Sequence, residues 1–193
     1  SSCEVCLPGT APQGDGCSSC EPGKAGRGAV FFTNATVDFF LPCANCEKGL
    51  YAPLERSSDC LPCPGGKVSI DGAAECTDCA TGKHTVDRQT CLACSPASYS
   101  PSLGAAECLP CAEGKVSLAG ASECTACAAG KLTVDRQTCV PCPKATYAPS
   151  EGAAECLPCA EGKVSLAGAS ECTACAAGKL TVDRQTCMAC PKA

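Results

Sequence analysis

All twenty-four cysteines of this 193-residue chain fall in twelve Cys-x-x-Cys pairs. The pairs begin at Cys3, Cys17, Cys43, Cys60, Cys76, Cys91, Cys108, Cys124, Cys139, Cys156, Cys172 and Cys187. From Cys43 the starts advance by 17, 16 and 15 residues, and that triplet recurs as a 48-residue repeat of six cysteines, present three times. Cysteine at this density signals a disulfide scaffold, and an even, regular set implies an assigned partner for almost every thiol.

The chain lacks the material for an ordinary core. It has no Trp, one Met, three Tyr and four Phe, and much of its apolar content is Ala and Cys. Nineteen Gly and fifteen Pro favour turns over helices. Chains that cannot bury enough apolar surface are commonly held by disulfides. One bond closing a loop of about 15 residues is worth roughly 3 kcal/mol by loop entropy. Such bonds need an oxidising compartment, so the chain is expected to be secreted or at the cell surface. It starts at Ser1-Ser2 and meets Cys3 at once, as a mature or excised segment would. No run of 18 apolar residues exists, so no membrane insertion is expected. Net charge is −5 and Lys and Arg are scattered singly, which argues against a nucleic-acid partner.

Between one pair and the next lie loops of 13, 12 and 11 residues, in rotation. All share a frame. Three residues after the opening cysteine comes Gly (Gly49, Gly66, Gly82, Gly114, Gly130, Gly162, Gly178) or Ala (Ala97, Ala145). Two residues later comes one bulky side chain, such as Tyr51, Val68, His84, Tyr99, Val116 or Leu132, and then Ser, Thr or Ala. The frame predicts a short β-hairpin stapled at its base. The one bulky residue is expected to pack on the neighbouring disulfide, each loop leaning on the next as in solenoid arrays. Residues 105–139 and 153–187 are identical. Repetition of this kind suits a mechanical or spacing role, where many equal contacts are wanted.

Residues before Cys43 depart from the pattern. The gap from Cys20 to Cys43 carries Phe31, Phe32, Phe39 and Phe40, all four phenylalanines of the chain. Partial alternation and β-branched residues predict a strand or hairpin there. The cluster either caps the array or makes an assembly contact, and a contact with another chain is the expectation carried forward. Asn34-Ala35-Thr36 is a glycosylation sequon, expected to carry an N-linked glycan.

The frame Cys-x-x-Gly-Lys-(Tyr/Val/Leu)-(Ser/Thr)…Gly-Ala-x-Glu-Cys-x-x-Cys resembles the ephrin-receptor-like cysteine-rich repeat and is similar to the modules of tumour-necrosis-factor receptors. The resemblance covers residues 43–193 well and residues 1–42 loosely. It implies a nearest-neighbour ladder, in which the second cysteine of a pair bonds the first of the next. Carried over, the bonds are Cys46–Cys60, Cys63–Cys76, Cys79–Cys91, Cys94–Cys108, Cys111–Cys124, Cys127–Cys139, Cys142–Cys156, Cys159–Cys172 and Cys175–Cys187. Upstream they are Cys6–Cys17 and Cys20–Cys43, with Cys3 and Cys190 left to bond elsewhere. A competing scheme joins first to first and second to second cysteines of adjacent pairs, but it groups pairs by two and clashes with a repeat of three. The receptor modules carry additional cross-bonds, so their growth-factor-binding role does not transfer. Such repeats also occur in surface proteins of algae and protists, including flagellar hairs (mastigonemes), and the Ala-rich, near-identical copies look more like that setting.

Rival chemistries fit less well. Two Cys-x-x-Cys pairs can make a zinc site, but every pair here is equivalent to both neighbours. Thiol–disulfide exchange needs a supporting fold and a lowered thiol pKa. Epidermal-growth-factor modules contain a Cys-x-Cys that is absent here. Calcium needs clustered carboxylates, whereas Asp87, Asp135 and Asp183 are isolated and suit turns. His84 occupies the slot of Leu132 and Leu180 and lacks a partner for base catalysis. No metal, cofactor or catalytic residue is expected. The predicted fold is a small disulfide-rich, elongated tandem array of stapled β-hairpins with little regular secondary structure. Residues 1–42 form an atypical N-terminal segment, followed by repeats at 43–90, 91–138 and 139–193. The expected role is structural, in an extracellular filament, flagellar hair or surface coat, with partners that are other copies or other filament and surface proteins. The alternative is a receptor or adhesion ectodomain that binds a protein partner.

Overall fold

A computed structural model describes residues 5–13, 16–26, 29–30 and 42–190. Among them there is no helix, and the regular structure is a succession of two-stranded antiparallel ladders. The chain is a small disulfide-rich tandem array of stapled hairpins. Contact clustering divides it into two compact units, Ser1–Leu92 with Ser102–Glu107, and Ala93–Pro101 with Cys108–Ala193.

Each ladder has the same construction. Leu50–Tyr51 pairs with Leu61–Pro62, in the register Leu50↔Pro62 and Tyr51↔Leu61. Lys67–Val68 pairs with Thr77–Asp78, Lys115–Val116 with Thr125–Ala126, and Thr146–Tyr147 with Leu157–Pro158. The outgoing arm therefore follows the turn after an opening cysteine. The returning arm is the pair of residues inside the next Cys-x-x-Cys. Proline is accepted in that arm because a two-stranded ladder is all edge, where a missing N–H costs no pairing. One more bond closes each hairpin: the N–H of the second cysteine donates to the carbonyl of the residue three after the preceding opening cysteine. Examples are Cys63 to Gly49, Cys111 to Ala97 and Cys159 to Ala145, each at 2.9 Å.

The first unit begins differently. Val5–Cys6 pairs with Ala29–Val30, and Thr10–Gln13 with Gly16–Ser19. Lys24–Ala25 pairs with Ala44–Asn45, which joins this segment to the regular array.

Adjacent loops are sewn together by backbone hydrogen bonds within each unit. In the first, the N–H of Gly72 donates to Cys46 O at 2.7 Å and that of Ala52 to Ala73 O at 3.1 Å. In the second, Gly120 donates to Cys94 O, Gly152 to Cys127 O and Gly168 to Cys142 O, at 2.7–2.8 Å. Close backbone approach leaves room only for small side chains between loops. The sequence expectation that the bulky residue would be the buried one is corrected here. Tyr51, Val68, Tyr99, Val116 and Tyr147 are half-buried. The buried residues are the opening cysteines and the small residue after the bulky one: Ala52, Ser69, Thr85, Ser100, Ser117, Ala148 and Ser165. Three of the serines also tie loops together, Ser69 Oγ donating to Leu50 O, Ser117 Oγ to Ser98 O and Ser165 Oγ to Thr146 O, at 2.8–2.9 Å.

Two chemically identical loops isolate the contribution of this contact. Gly114 and Gly162 hold the same place in loops of identical sequence, and both have φ +73°. A Cβ on Gly114 would overlap the carbonyl of Gly152, whereas one on Gly162 would meet nothing within 4 Å. Gly162→Ala should therefore cost only the left-handed strain, about 1 kcal/mol. Gly114→Ala adds an overpacking cost of about 1–3 kcal/mol. Native-state amide exchange at Cys127, which bonds Gly114, and at Cys175, which bonds Gly162, reads the two. Exchange should quicken more at Cys127, and equal acceleration would show that loop docking contributes nothing.

Candidate functional site

The cysteines named from the sequence are brought together as eleven consecutive disulfides. Cys6 bonds Cys17, Cys20 bonds Cys43, and the ladder runs from Cys46–Cys60 through Cys175–Cys187, always second cysteine to first cysteine of the next pair. The Cα–Cα separations, 5.4–5.9 Å, sit in the ordinary range for such bonds. Bonded sulfurs offer no thiolate, so these cysteines supply neither a nucleophile nor a zinc ligand set. Among the described residues Cys190 alone carries a free thiol, and it is exposed. Its N–H donates to Gly178 O at 3.0 Å, as the other second cysteines do in their own hairpins. Cys3, Asn34, Phe31, Phe32, Phe39 and Phe40 lie outside the described residues.

The three aspartates read as turn formers each organise a loop tip. Asp135 Oδ1 accepts the N–H groups of Gln137 and Thr138 at 2.8 and 2.9 Å. The hydroxyls of Thr133 and Thr138 donate to its two oxygens at 3.0 Å. The Arg136 N–H closes the knot on Thr133 Oγ1 at 2.8 Å. The same bonds recur around Asp87 and Asp183. The central arginine pays no glycine's freedom here: Arg88, Arg136 and Arg184 all sit at φ 57–60°. The carboxylate gathers the surrounding N–H groups and holds the chain in that conformation.

The charged form of the aspartate is favoured accordingly. The Thr138 and Gln137 N–H groups hold Asp135 at about 2, below the ordinary value of 3.8. The Gln185 and Thr186 N–H groups do the same for Asp183, also at about 2. Asp87 is held well below the usual carboxylate range, chiefly by Thr90 and Gln89.

Sequence reasoning missed a second feature of the tips. Seven residues after the opening cysteine, Ile70, Val86, Leu118, Val134, Leu166 and Val182 stand 71–85 % exposed. The signal was available, since a branched apolar residue follows the buried Ser or Thr in each of these loops. It was masked by a frame that assigned one packing residue per loop. His84 takes the arm position of Leu132 and Leu180, at the end of Lys83–His84.

The ladder, the loop frame and the tips meet most fully between Thr133 and Leu166. That stretch runs from an aspartate tip through the Cys142–Cys156 loop and on to the next apolar tip. It matches the family model described as tyrosine-protein kinase ephrin type A/B receptor-like, over residues 133–166. The array is built from ephrin-receptor-like cysteine-rich repeats. No curated protein matches the chain. The same frame occupies residues 85–118, where the repeat begins at Thr85 and ends at Leu118. The ephrin-receptor-like repeat and its disulfide ladder point to a non-enzymatic extracellular domain. No helix among the described residues is long and apolar enough to cross a membrane.

The aspartate knots carry a pH dependence whose sign is fixed. A carboxylate with a depressed native pKa contributes stability above its unfolded pKa, and that contribution is lost as pH falls through the native one. Tip stability should therefore hold down to about pH 4 and fall away between pH 4 and 2. NMR titration should give Asp135 and Asp183 midpoints near 2, with exchange at the Gln137 and Thr138 amides rising over the same interval. In Asp135→Ala those amides should exchange quickly at every pH. Midpoints near 4 would mean that the knots do not form in solution.

Proposed function

We propose that this chain is a structural segment of an extracellular filament, flagellar hair or surface coat, its repeats at 43–90, 91–138 and 139–193 supplying equal, stiffly linked contacts. The observation that carries the reading is repetition without differentiation. Every hairpin closes with the same backbone bond, and residues 105–139 and 153–187 are identical. Loops bonded to their neighbours on both sides resist shear, because separating two of them requires breaking backbone bonds while the disulfides keep each loop closed. The Phe31, Phe32, Phe39 and Phe40 cluster belongs to this reading as an assembly contact, and Asn34 as a glycan site. Other copies of the chain or other surface proteins are the partners.

A receptor or adhesion ectodomain is the second reading, favoured by the family match itself. The two make opposite demands on where contacts lie. A filament uses contacts that recur with the 48-residue repeat, whereas a receptor presents one patch. Immunogold labelling of source cells with antibody raised against the chain is expected to decorate filaments or coat at regular intervals. Cross-links mapped on the same material should fall at equivalent positions in successive repeats. Label confined to the plasma membrane, with cross-links at a single patch, would favour the receptor.

A further inference from the structure

Turns ordinarily carry polar residues, yet six consecutive loops of the second and third kinds present a branched apolar side chain at the tip. The tips are held in pairs. The N–H of Ser69, next to Ile70, donates to the carbonyl of Arg88, two residues from Val86, at 3.2 Å. Ser117 does the same to Arg136, placing the Leu118 tip beside the Val134 tip, and Ser165 to Arg184, placing that of Leu166 beside that of Val182. The result is one small apolar patch in the first unit and two in the second, each built alike.

Charge surrounds each patch with both signs. The third-kind loop contributes an exposed arginine, Arg88, Arg136 or Arg184, and the second-kind loop an exposed glutamate, Glu75, Glu123 or Glu171. Among the described residues the ion pairs are Lys24–Glu21 and Lys67–Asp78, so none of these six is engaged. A surface with an apolar centre flanked by one cation and one anion is self-complementary: turned about a two-fold axis, its arginine faces the glutamate of its copy.

We propose that these tip patches are the surface through which two copies of this chain pair side by side. The inference rests on the structural reading above and specifies its contact. Burying one such apolar side chain removes roughly 60–120 Å² from water, taking the usual side-chain transfer energy per unit area. One patch of two falls far short of the roughly 800 Å² per partner that a stable pair needs. Three patches with their arginine stems approach it. Pairing is therefore weak at one patch and becomes stable through repetition, each engaged patch raising the effective concentration of the next. A partner of unrelated sequence would need the same period to gain that advantage, whereas a second copy has it automatically.

Sedimentation equilibrium of the full disulfide-bonded chain is expected to show concentration-dependent dimerisation. Val86→Glu, Val134→Glu and Val182→Glu together should raise the dissociation constant by about tenfold or more, with all disulfides intact by peptide mapping, because the tips are exposed. Arg88→Glu, Arg136→Glu and Arg184→Glu should weaken self-association. So should Glu75→Arg, Glu123→Arg and Glu171→Arg, and an equimolar mixture of these two charge-reversed chains should pair again. A wild-type chain that stays monomeric at millimolar concentration, or a Val→Glu chain that associates like wild type, overturns the inference. Failure of the mixed chains to pair overturns the two-fold arrangement on which it stands. A monomeric chain that still labels filaments would remove the tip contact and leave the structural reading in place. Tip-dependent pairing in a chain found only at the plasma membrane would do the reverse.

Discussion

The two cysteines of each pair are bonded in opposite directions along the chain. Everything else in the structure depends on that. Because the second cysteine opens one loop while the first closes the previous one, the two residues between them are forced to be a returning arm and a connector at once. No separate linker exists between modules, so a hairpin and its neighbour share covalent structure. The buried sulfurs of Cys46, Cys63, Cys79, Cys94, Cys111, Cys127, Cys142 and Cys159 then take the place that a hydrophobic core occupies in a chain with more large side chains. Packing need supply only small residues to fit between backbones already held close.

Much of the fold was legible because cysteine spacing and the glycine three residues on are rigid signals. Glycine or alanine in that slot has positive φ throughout, Ala97 and Ala145 included, at 68° and 69°. The pairing itself came through family resemblance; spacing alone had left a second scheme to be argued away. Two things were misjudged. Side-chain size was taken as the guide to burial, whereas backbone-to-backbone hydrogen bonds set the distance between loops and so select Ala52, Ser100 and Ala148 for the interior. The apolar tips were passed over because a periodic frame draws attention to its invariant slots. Their exposure is a property of where the hairpin turns, which sequence spacing does not reveal. The Phe segment and Asn34 fall outside the described residues, so those readings stand where the sequence left them.

The second and third loops solve one geometrical problem by different means. Both must reverse direction through a residue at positive φ. The second kind places glycine there, Gly72, Gly120 or Gly168. The third places arginine and enforces the turn with a carboxylate bonded to two N–H groups and two hydroxyls. Glycine gives the turn at the cost of backbone entropy in the unfolded chain. The aspartate knot keeps a long cationic side chain at the tip, at the cost of dependence on ionisation. Alternating the two along the array puts an acid-sensitive, charged tip beside an acid-insensitive one, within every repeat.

The disulfides span 11 to 23 residues of sequence, and the loop-to-loop hydrogen bonds reach only to the adjoining loop. Contact order is therefore uniformly low, which is the regime of fast, local folding. A chain of this kind can be completed in the order in which it is made. As each new cysteine enters an oxidising lumen, its correct partner is the most recently exposed one that remains unpaired, and the finished hairpin behind it is the template on which the next one docks. Register errors are then confined to a single rung, and lengthening the array by further repeats adds material without adding a harder folding problem.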